Sequence, residues 1–419
     1  MTSATATAPP TVPDIGAWNN EILAFLEGHA ERREQQPGGF HWGVGSDRVA
    51  LFSEPDRAEE ATVIAAAKAW RRTIFDAGFG WITGPTEYGG RGLPTGHQRA
   101  YQELERRFAT PPPDPFMISL GMVAPTVLTH GLDHIRRRYL PALYRGDLIG
   151  CQLFSEPGAG SDLAGVATRA VPDGDHWTVD GQKVWTSGAH YSDIGLLLAR
   201  TSPGPRHRNL TAFLVDMHAP GVDVRPLRQM TGGAAFNEVF LTAVTIPDDH
   251  RLGDVDGGWT VALTTLMHER NSVGGAGGGA GILAAARLVE TARRFGLDRD
   301  PVTRQALASV YTRLAVARYT RLRAEAGRRS GRPPGPEGSI AKLAHTQNLA
   351  AVADLMTHIL GPHLVADTDQ WGTWAWSEFL LGAPGFRLGG GTDEIQRNIL
   401  AERVLQLPKD QPPGSAPPL

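Results

Sequence analysis

The stretch WTVDGQKVWTS, residues 177–187, decides how the chain divides. β-Forming Trp, Val and Thr flank Asp180-Gly181, a dipeptide that marks a tight hairpin turn. Working outward, TAFLVDM (211–217), GVDVRPL (221–227) and EVFLTAVTIP (238–247) are short apolar runs separated by Gly, Pro and His. Residues from about 150 to 250 thus predict a compact all-β segment.

On either side the period becomes helical. In EEATVIAAAKAWRRTIFDAGF (59–79), Val63, Ala67, Trp70 and Ile74 lie on one helical face, and Gly78 marks the end. GPTEYGGRGLPTG (84–96) predicts a long loop. LDHIRRRYLPALYRGD (132–147) is helical, with Pro141 expected to kink or interrupt it. Past Gly257-Gly258 the helical pattern returns. Leu307, Val310, Leu314 and Ala317 form one stripe. Leu349, Val352, Met356 and Ile359 form another, opened by Ser339 as N-cap after RPPGPEG and stopped by Gly361-Pro362. The order α, β, α predicts an α+β protein with segregated blocks, not alternating βαβ units. The expected domains are residues 1–149, 150–256 and 257–410, with 1–13 and 411–419 as disordered ends rich in Pro and small residues.

A chain of 419 residues suits two or three domains, and 41% hydrophobic with 20% charged residues is a soluble globular balance. The formal charge of −3 gives no footprint for nucleic acid. No run of roughly 18 apolar residues predicts a membrane span. The N-terminus lacks the basic start and apolar block of a secretory signal, so a cytoplasmic protein is expected. Cys151 stands alone, which excludes an internal disulfide, and no Cys/His spacing suits zinc, so no metal is expected. Lysine is scarce, with only Lys68, Lys183, Lys342 and Lys409.

One motif misleads. GGAGGGAGILAAARL (274–288) contains Gly279-Ala280-Gly281-Ile282-Leu283-Ala284, a match to G-x-G-x-x-A. A dinucleotide fingerprint needs a strand before its glycines, and VALTTLMHERNSV (261–273) reads as helix. Close packing of small residues is the better reading. His268-Glu269 lacks the second histidine of a zinc helix.

Four stretches carry chemistry. In CQLFSEPGAGSD (151–162) a strand runs into a Pro/Gly turn whose N–H groups, with the Ser161 hydroxyl, can converge on an anion. Ser155 can offer a hydroxyl to a flat polar ring; the plain alternative is a β-turn with an Asp cap. In GQKVWTSG (181–188) Trp185 can cover a planar cofactor while Thr186 or Ser187 bonds its edge, the alternative being a core Trp. MHER (267–270) sets Glu269 and Arg270 on different sides of a helix, one for a pocket and one for a phosphate, or else as two surface charges. In LGGGTDEIQRNILAER (388–403) a glycine loop leads into a helix capped by Thr392 or Asp393.

In this order the four stretches resemble the acyl-CoA dehydrogenase family from about residue 60 to residue 407. The family's Q/Y-x-x-[ST]-E-P-x-A-G-S-D signature matches residues 152–162. Its N-G-x-K-x-W-[IT]-[TS] signature matches DGQKVWTS, and its G-G-x-x-E-I-Q-R-N signature matches GGTDEIQRN. The resemblance implies an N-terminal helical domain, a central β-barrel domain and a C-terminal four-helix bundle. It implies FAD as cofactor and a homotetramer, often a dimer of dimers. The implied reaction belongs to lipid and fatty acid metabolism. The α-proton and β-hydride leave an acyl-CoA thioester, a trans-2-enoyl product forms, and electrons pass to an electron-transferring flavoprotein. An α C–H is a weak acid, so such a site needs donors to the thioester carbonyl and a desolvated Glu as base.

By motif matching, Leu153, Phe154, Ser155, Gly160 and Ser161 line the flavin or its pyrophosphate, and Trp185 and Ser187 cover the isoalloxazine. Thr392 and Glu394 match cofactor contacts. Gln305, Gly361 and, at altered spacing in ARRFG, Arg294 match positions that meet the adenosine half across a subunit interface. Ser161, Arg270 and Gly390 are implied on the substrate side. Many members carry the base as the Glu of a Y-E-G-T loop. Here that tetrapeptide is Gly389-Gly390-Gly391-Thr392, and glycine cannot take a proton. Members of the isovaleryl and long-chain types place the base on the helix opening the last domain, where Glu269 stands, and Glu269 is the expected base. Two other functions fit: a non-catalytic partner subunit of a heteromeric dehydrogenase, and a flavin oxidase or monooxygenase on the same fold. A helix-borne base and the small residues of GGAGGGAG suit a branched or polycyclic (steroid side-chain) thioester.

Overall fold

The computed structural model describes residues 12–33, 40–49, 51, 56–275, 284–329, 335 and 337–409, with side chains described outside 270–275, 328–329 and 337. Contacts group the chain into one unit of residues 1–37, 55–227 and 236–265 and a second of residues 38–54, 228–235 and 266–419.

In the first unit, α1 (Ile15–His29) starts where the Asp14 carboxylate accepts the N–H groups of Gly16 and Ala17, and Asp56 caps α2 (Arg57–Asp76) in the same way. Ala67 and Ile74 of α2 are buried as its period predicts, and Gly78 ends the helix at φ 84°. α3 (Thr95–Glu105), α4 (Ala124–His130) and α5 (Asp133–Arg145) follow. Residues 84–96 are not all loop: they hold a 3-10 turn at Thr86–Tyr88 and the start of α3. Pro141 does not interrupt α5. Its missing N–H forfeits one backbone bond, while Ile135, Tyr139, Leu140 and Leu143 bury the same face on both sides of it. Trp18, Ile22 and Leu26 of α1 share a core with Ile74, Phe79, Ile82, Tyr101 and Phe108. Contrary to the expected disordered start, Pro13 is held, its carbonyl accepting a bond from His97 Nε2 at 2.9 Å. Residues 1–11 and 410–419 lie outside the described residues.

The same unit holds the sheet: β1 (Gly150–Leu153), β2 (Arg169–Asp173), β3 (His176–Ser187), β4 (Ile194–Arg200), β5 (Leu210–Asp216), β6 (Val222–Leu227), β7 (Phe236–Pro247) and β8 (Arg251–Leu252). The order is β6-β7-β3-β2-β4-β5-β8, with β1 parallel beside β4. Leu153, Ala170, Val179, Leu197, Phe213 and Val239 come from different strands yet share one core, so the sheet curls around it. Asp180-Gly181 is not a turn. β3 runs straight through it, and the turn between β2 and β3 is made at Gly174, φ 63°. The dipeptide serves other needs. A Cβ on Gly181 would collide with Thr168, and Asp180 Oδ1 accepts the N–H of Ala243 at 2.8 Å where β7 carries an extra residue.

α6 (Gly258–Gly275) starts in the first unit, where Gly258 leaves no room for a Cβ against the Thr211 backbone. Thr264 Oγ1 bonds His130 Nε2 at 2.8 Å, and Thr265 Oγ1 bonds Thr126 Oγ1 at 3.0 Å. α6 covers residues 261–273, so helix and not strand stands before the glycine run, and the dinucleotide reading falls. Residues 276–283 of that run lie outside the described residues.

In the second unit are α7 (Ala285–Arg294), α8 (Pro301–Arg329), α9 (Glu337–Leu360), α10 (Ala375–Phe386) and α11 (Asp393–Arg403). Four of them close one core: Leu288 and Ala292 of α7, Val310 of α8, the predicted stripe Leu349, Val352, Met356 and Ile359 of α9, and Trp376 and Phe379 of α10. Val49 joins it. Its segment is tied down by Trp371 Nε1 donating to the Gly45 carbonyl at 3.0 Å and by the Gly372 N–H on Asp47 Oδ2 at 2.9 Å. Ser339 is not the N-cap: the chain is already helical at Glu337, and Ser339 is buried in the first turn. Among the described residues no helix is long and apolar enough to cross a membrane.

Candidate active site

The first two signatures meet in space. β1 delivers Leu153 into the core, Phe154 just past it is buried too, and the chain then folds back in a tight turn in which Glu156 and Ala159 exchange N–H···O bonds of 3.0 Å. β3 comes alongside, and the Val184 N–H donates to the Ser155 carbonyl at 2.9 Å. Beneath them lies a residue pair that motif matching left without a role. Lys183 is wholly buried and donates to the Phe154 carbonyl at 3.0 Å, the Leu198 carbonyl at 2.8 Å and Glu156 Oε1 at 2.8 Å. Glu156 also accepts the N–H groups of Ala167 at 2.6 Å and Thr168 at 2.9 Å. Burial works against the Glu156 charge, but the Lys183 cation and these donors outweigh it and hold the carboxyl below its ordinary range. Burial likewise pushes the Lys183 ammonium below its ordinary value, against the pull of Glu156. A sequence signal was present: Trp177, Val179, Gly181 and Lys183 fall at the two-residue period of one strand face.

Immediately after Lys183 the register of β3 against β7 slips, because β3 carries an extra residue. Trp185 is that bulge residue, at φ 62°, a left-handed conformation rare for a bulky side chain. The bulge turns its ring outward: Trp185 is 56% exposed, with the Phe236 ring edge-on at 5.8 Å. The core-Trp alternative is thereby excluded. Thr186 returns inward, and its buried hydroxyl meets no partner among the described residues. Ser155 and Ser187 are half-buried. Gly160 and Ser161 are exposed, with nothing near the position of a Cβ on Gly158 or Gly160. Asp162 does not cap a helix; it pairs with Arg206 at the surface. His190, just beyond the signature, ties the bulge to α2 and β7 through Glu60 at 2.8 Å and Asn237 at 2.9 Å. Cys151 is no nucleophile, since burial pushes its thiol up to about 12.

In the second unit the glycine loop places Gly390 and Gly391 at φ 70° and 85°, and their carbonyls accept bonds from Gln396 Nε2 at 2.9 and 3.3 Å. Thr392 is the cap of α11, its hydroxyl accepting the Ile395 N–H at 3.2 Å, and Glu394 is exposed on the first turn. Asp393 turns inward instead, to Thr346 Oγ1 at 2.8 Å, Arg387 Nε at 3.0 Å and Lys342 Nζ at 3.4 Å. Arg294, Gln305 and Gly361 gather at one end of the bundle. Phe295 meets His363 at 5.0 Å, and Thr303 Oγ1 bonds His358 at 3.0 Å, which brings together the end of α7, the start of α8 and the end of α9. Arg294 and Gln305 are exposed there. Glu269 lies on α6, partly buried, one turn past Thr265 and on the same side of the helix by spacing. Arg270 continues the helix, and its side chain lies outside those described. Among the described residues no cluster of His, Cys, Asp or Glu could hold a metal.

Three family models match in order: the acyl-CoA dehydrogenase N-terminal domain over residues 50–147, the middle domain over 151–244 and the C-terminal domain over 256–405. Acyl-CoA dehydrogenase IpdE1 of Mycobacterium tuberculosis is 37% identical over 387 residues, covering 91% of this chain and 98% of that protein. Acyl-CoA dehydrogenase FadE34 of the same organism is 35% identical over 94% of this chain and 53% of its own length. Among solved structures, the Tcur3481-Tcur3483 steroid ACAD aligns over 96% of this chain and 100% of that one, at 25% identity and a TM-score of 0.72. These matches and the two assembled signatures agree: the chain belongs to the acyl-CoA dehydrogenase family.

Proposed function

We propose that this chain carries out the FAD-dependent α,β-dehydrogenation of an acyl-CoA thioester, with Glu269 as the α-proton base and a trans-2-enoyl thioester as product. The observation that carries the assignment is the placing of acids. α6 presents a partly buried carboxylate at Glu269, whereas Gly389, Gly390 and Gly391 offer none. The first unit suits a flavin. Trp185 offers a flat exposed ring, Thr186 a buried hydroxyl without a partner among the described residues, Ser155 and Ser187 half-buried hydroxyls, and Gly158, Gly160 and Ser161 open backbone for a pyrophosphate. FAD supplies the hydride acceptor. A carboxylate oxygen of Glu269 takes the α-proton, Arg270 and Ser161 hold the thioester's polar tail, and Gly390 leaves space for the acyl group. Thr392 and Glu394 complete the cofactor site, and Arg294, Gln305 and Gly361 serve the adenosine half of a neighbouring copy's cofactor. That arrangement needs an oligomer, proposed here as a tetramer, and the exposed apolar side chains of α8, Val302, Tyr311, Val316, Tyr319 and Leu322, fit burial against another copy. An electron-transferring flavoprotein is the proposed acceptor of the electrons. Purified Glu269→Gln is expected to keep its yellow flavin and lose at least about a thousandfold in enoyl-CoA formation, as befits loss of a general base. Full turnover by that variant refutes the assignment.

A bulky substrate, branched or a steroid side chain, is favoured by the helix-borne base and by the steroid ACAD among the similar structures. A turnover panel with its best rate on short straight chains would count against it. A second reading is a non-catalytic partner subunit. It is favoured by Gly390 and by two similar structures named as protein pairs, the steroid ACAD and the ChsE4-ChsE5 complex of Mycobacterium tuberculosis. Flavin bound to the chain purified alone, with enoyl-CoA formed from acyl-CoA, decides for the first reading.

A further inference from the structure

The position of the buried Lys183–Glu156 pair says more than its stability does. A lysine ammonium has three N–H donors, and all three are used inside the protein, on Phe154, Leu198 and Glu156. Such a pair is seldom the best way to stabilise a sheet, since well-packed apolar residues of similar volume often do as well or better. What the pair does locally is specific. Lys183 takes the Phe154 carbonyl, and the next residue, Val184, takes the Ser155 carbonyl at 2.9 Å, so the two carbonyls flanking the Ser155 Cα are both fixed from one strand. The same strand then bulges at the very next residue to turn Trp185 outward. A cation bonded to the Phe154 carbonyl draws electron density from that peptide and makes its N–H, that of Ser155, a stronger donor. Among the described residues that N–H donates to no backbone carbonyl.

We propose that Lys183 is a positioning residue for the flavin ring: it polarises and fixes the Phe154–Ser155 peptide as a donor to the ring's polar edge and keeps Ser155 in register with Trp185. The proposal rests on the flavin reading above. Lys183 itself touches neither cofactor nor substrate, so its effect is read on the flavin and not on turnover alone.

The test compares wild-type protein with Lys183→Met and with Lys183→Met/Glu156→Gln, the double variant removing both charges at nearly constant volume. FAD titrated into the folded double variant is expected to bind about tenfold more weakly or worse, the scale of a charge-assisted hydrogen bond. Its bound flavin should show a shifted absorption spectrum and a lower reduction potential, because a weaker donor withdraws less density from the ring. A folded double variant with wild-type FAD affinity, spectrum and potential overturns the proposal. Should neither variant fold, single-residue amide exchange on the wild type decides. The Ser155 amide is expected to exchange more slowly once FAD is loaded, and equal rates with and without FAD overturn the role. Wild-type protein that takes up no FAD at all would sink the flavin reading and this proposal together, whereas normal wild-type binding with an unaltered variant sinks only the role of Lys183.

Discussion

Two of the four lysines are buried against a carboxylate supplied by a signature motif, and the two lysines hold different places in their clusters. In the sheet both partners are hubs, since Glu156 also accepts the N–H groups of Ala167 and Thr168. Lys183 is the source of three bonds between 2.8 and 3.0 Å, to Phe154, Leu198 and Glu156. In the helical unit only the carboxylate is a hub. Asp393 is held at 2.8 Å by Thr346 and at 3.0 Å by Arg387, while Lys342 stands off at 3.4 Å from both Asp393 and the Arg387 carbonyl. A single source serving several buried acceptors cannot be removed without orphaning all of them. One donor among several can. The contrast follows from the local scaffold. A strand end and a turn leave carbonyls without ladder partners, which a long cationic side chain can reach. At the start of α11 the Thr392 hydroxyl already accepts the Ile395 N–H, so the next side chain, Asp393, can turn inward and gather donors from Thr346, Arg387 and Lys342.

The largest effect is therefore expected for Lys183→Met. It strips Glu156 of its counter-ion, leaves two carbonyls short of a donor, and should lower the free energy of unfolding by about 3–5 kcal/mol, the range for breaking a buried pair from one side. Urea unfolding of the purified protein measures it, and a loss below that of any helical-unit variant would break the contrast. Asp393→Ala comes next. It removes the hub of the second cluster, freeing Thr346, Arg387 and Lys342 at once, and should cost about 2–3 kcal/mol. Lys342 can relax partly by shedding its proton, since burial already pushes its ammonium below the ordinary value.

Acid sharpens the same comparison. Glu156 lies below its ordinary 4.5 when folded, so its contribution is complete above that value and is lost as pH falls through the depressed folded value. Asp393 behaves alike from its ordinary 3.8, held down by Thr346, Arg387 and Lys342 against the opposing effect of burial. Thermal stability should therefore decline on acidification below about pH 4.5, and Lys183→Met/Glu156→Gln should show a shallower decline than wild type between about pH 5 and 3. Parallel curves would show that the sheet pair contributes nothing to acid sensitivity.

What the sequence revealed and what it hid follow from range. The stripes of α2 and α9 were legible because a helix writes its buried face at a fixed local period, and Ala67, Ile74, Leu349 and Met356 are buried accordingly. The signatures around Ser155 and Trp185 were legible as text. Asp180-Gly181 misled because a turn and a close approach call for the same small and polar residues; only Thr168 and Ala243, far along the chain, tell them apart. Pro141 and Ser339 misled in the other direction, since burial of a helical face overrides a weak local signal. Lys183 and Glu156 were in quoted motifs, yet they are 27 positions apart and their bond has no local mark. The bulge that exposes Trp185 was equally hidden, because one extra residue in a strand is defined only by its partner strand.

The smallest effect is expected for Lys342→Met, although Lys342, like Lys183, is shut off from solvent. Methionine fills nearly the same volume with an apolar, adaptable chain, so packing around α9 is kept. Asp393 retains its two shorter bonds, to Thr346 and Arg387, and with the half-exposed Arg387 it keeps a counter-charge. The Arg387 carbonyl loses only a 3.4 Å contact and still accepts the Asp393 N–H at 3.2 Å. The expected loss is about 1 kcal/mol or less, the scale of one ordinary hydrogen bond. The decisive quantity is the ratio of the two lysine-to-methionine losses, measured by the same urea titration. A ratio well above one supports a lysine hub in the sheet and a carboxylate hub in the bundle. A ratio near one would mean that burial alone, and not the pattern of partners, sets what each lysine contributes.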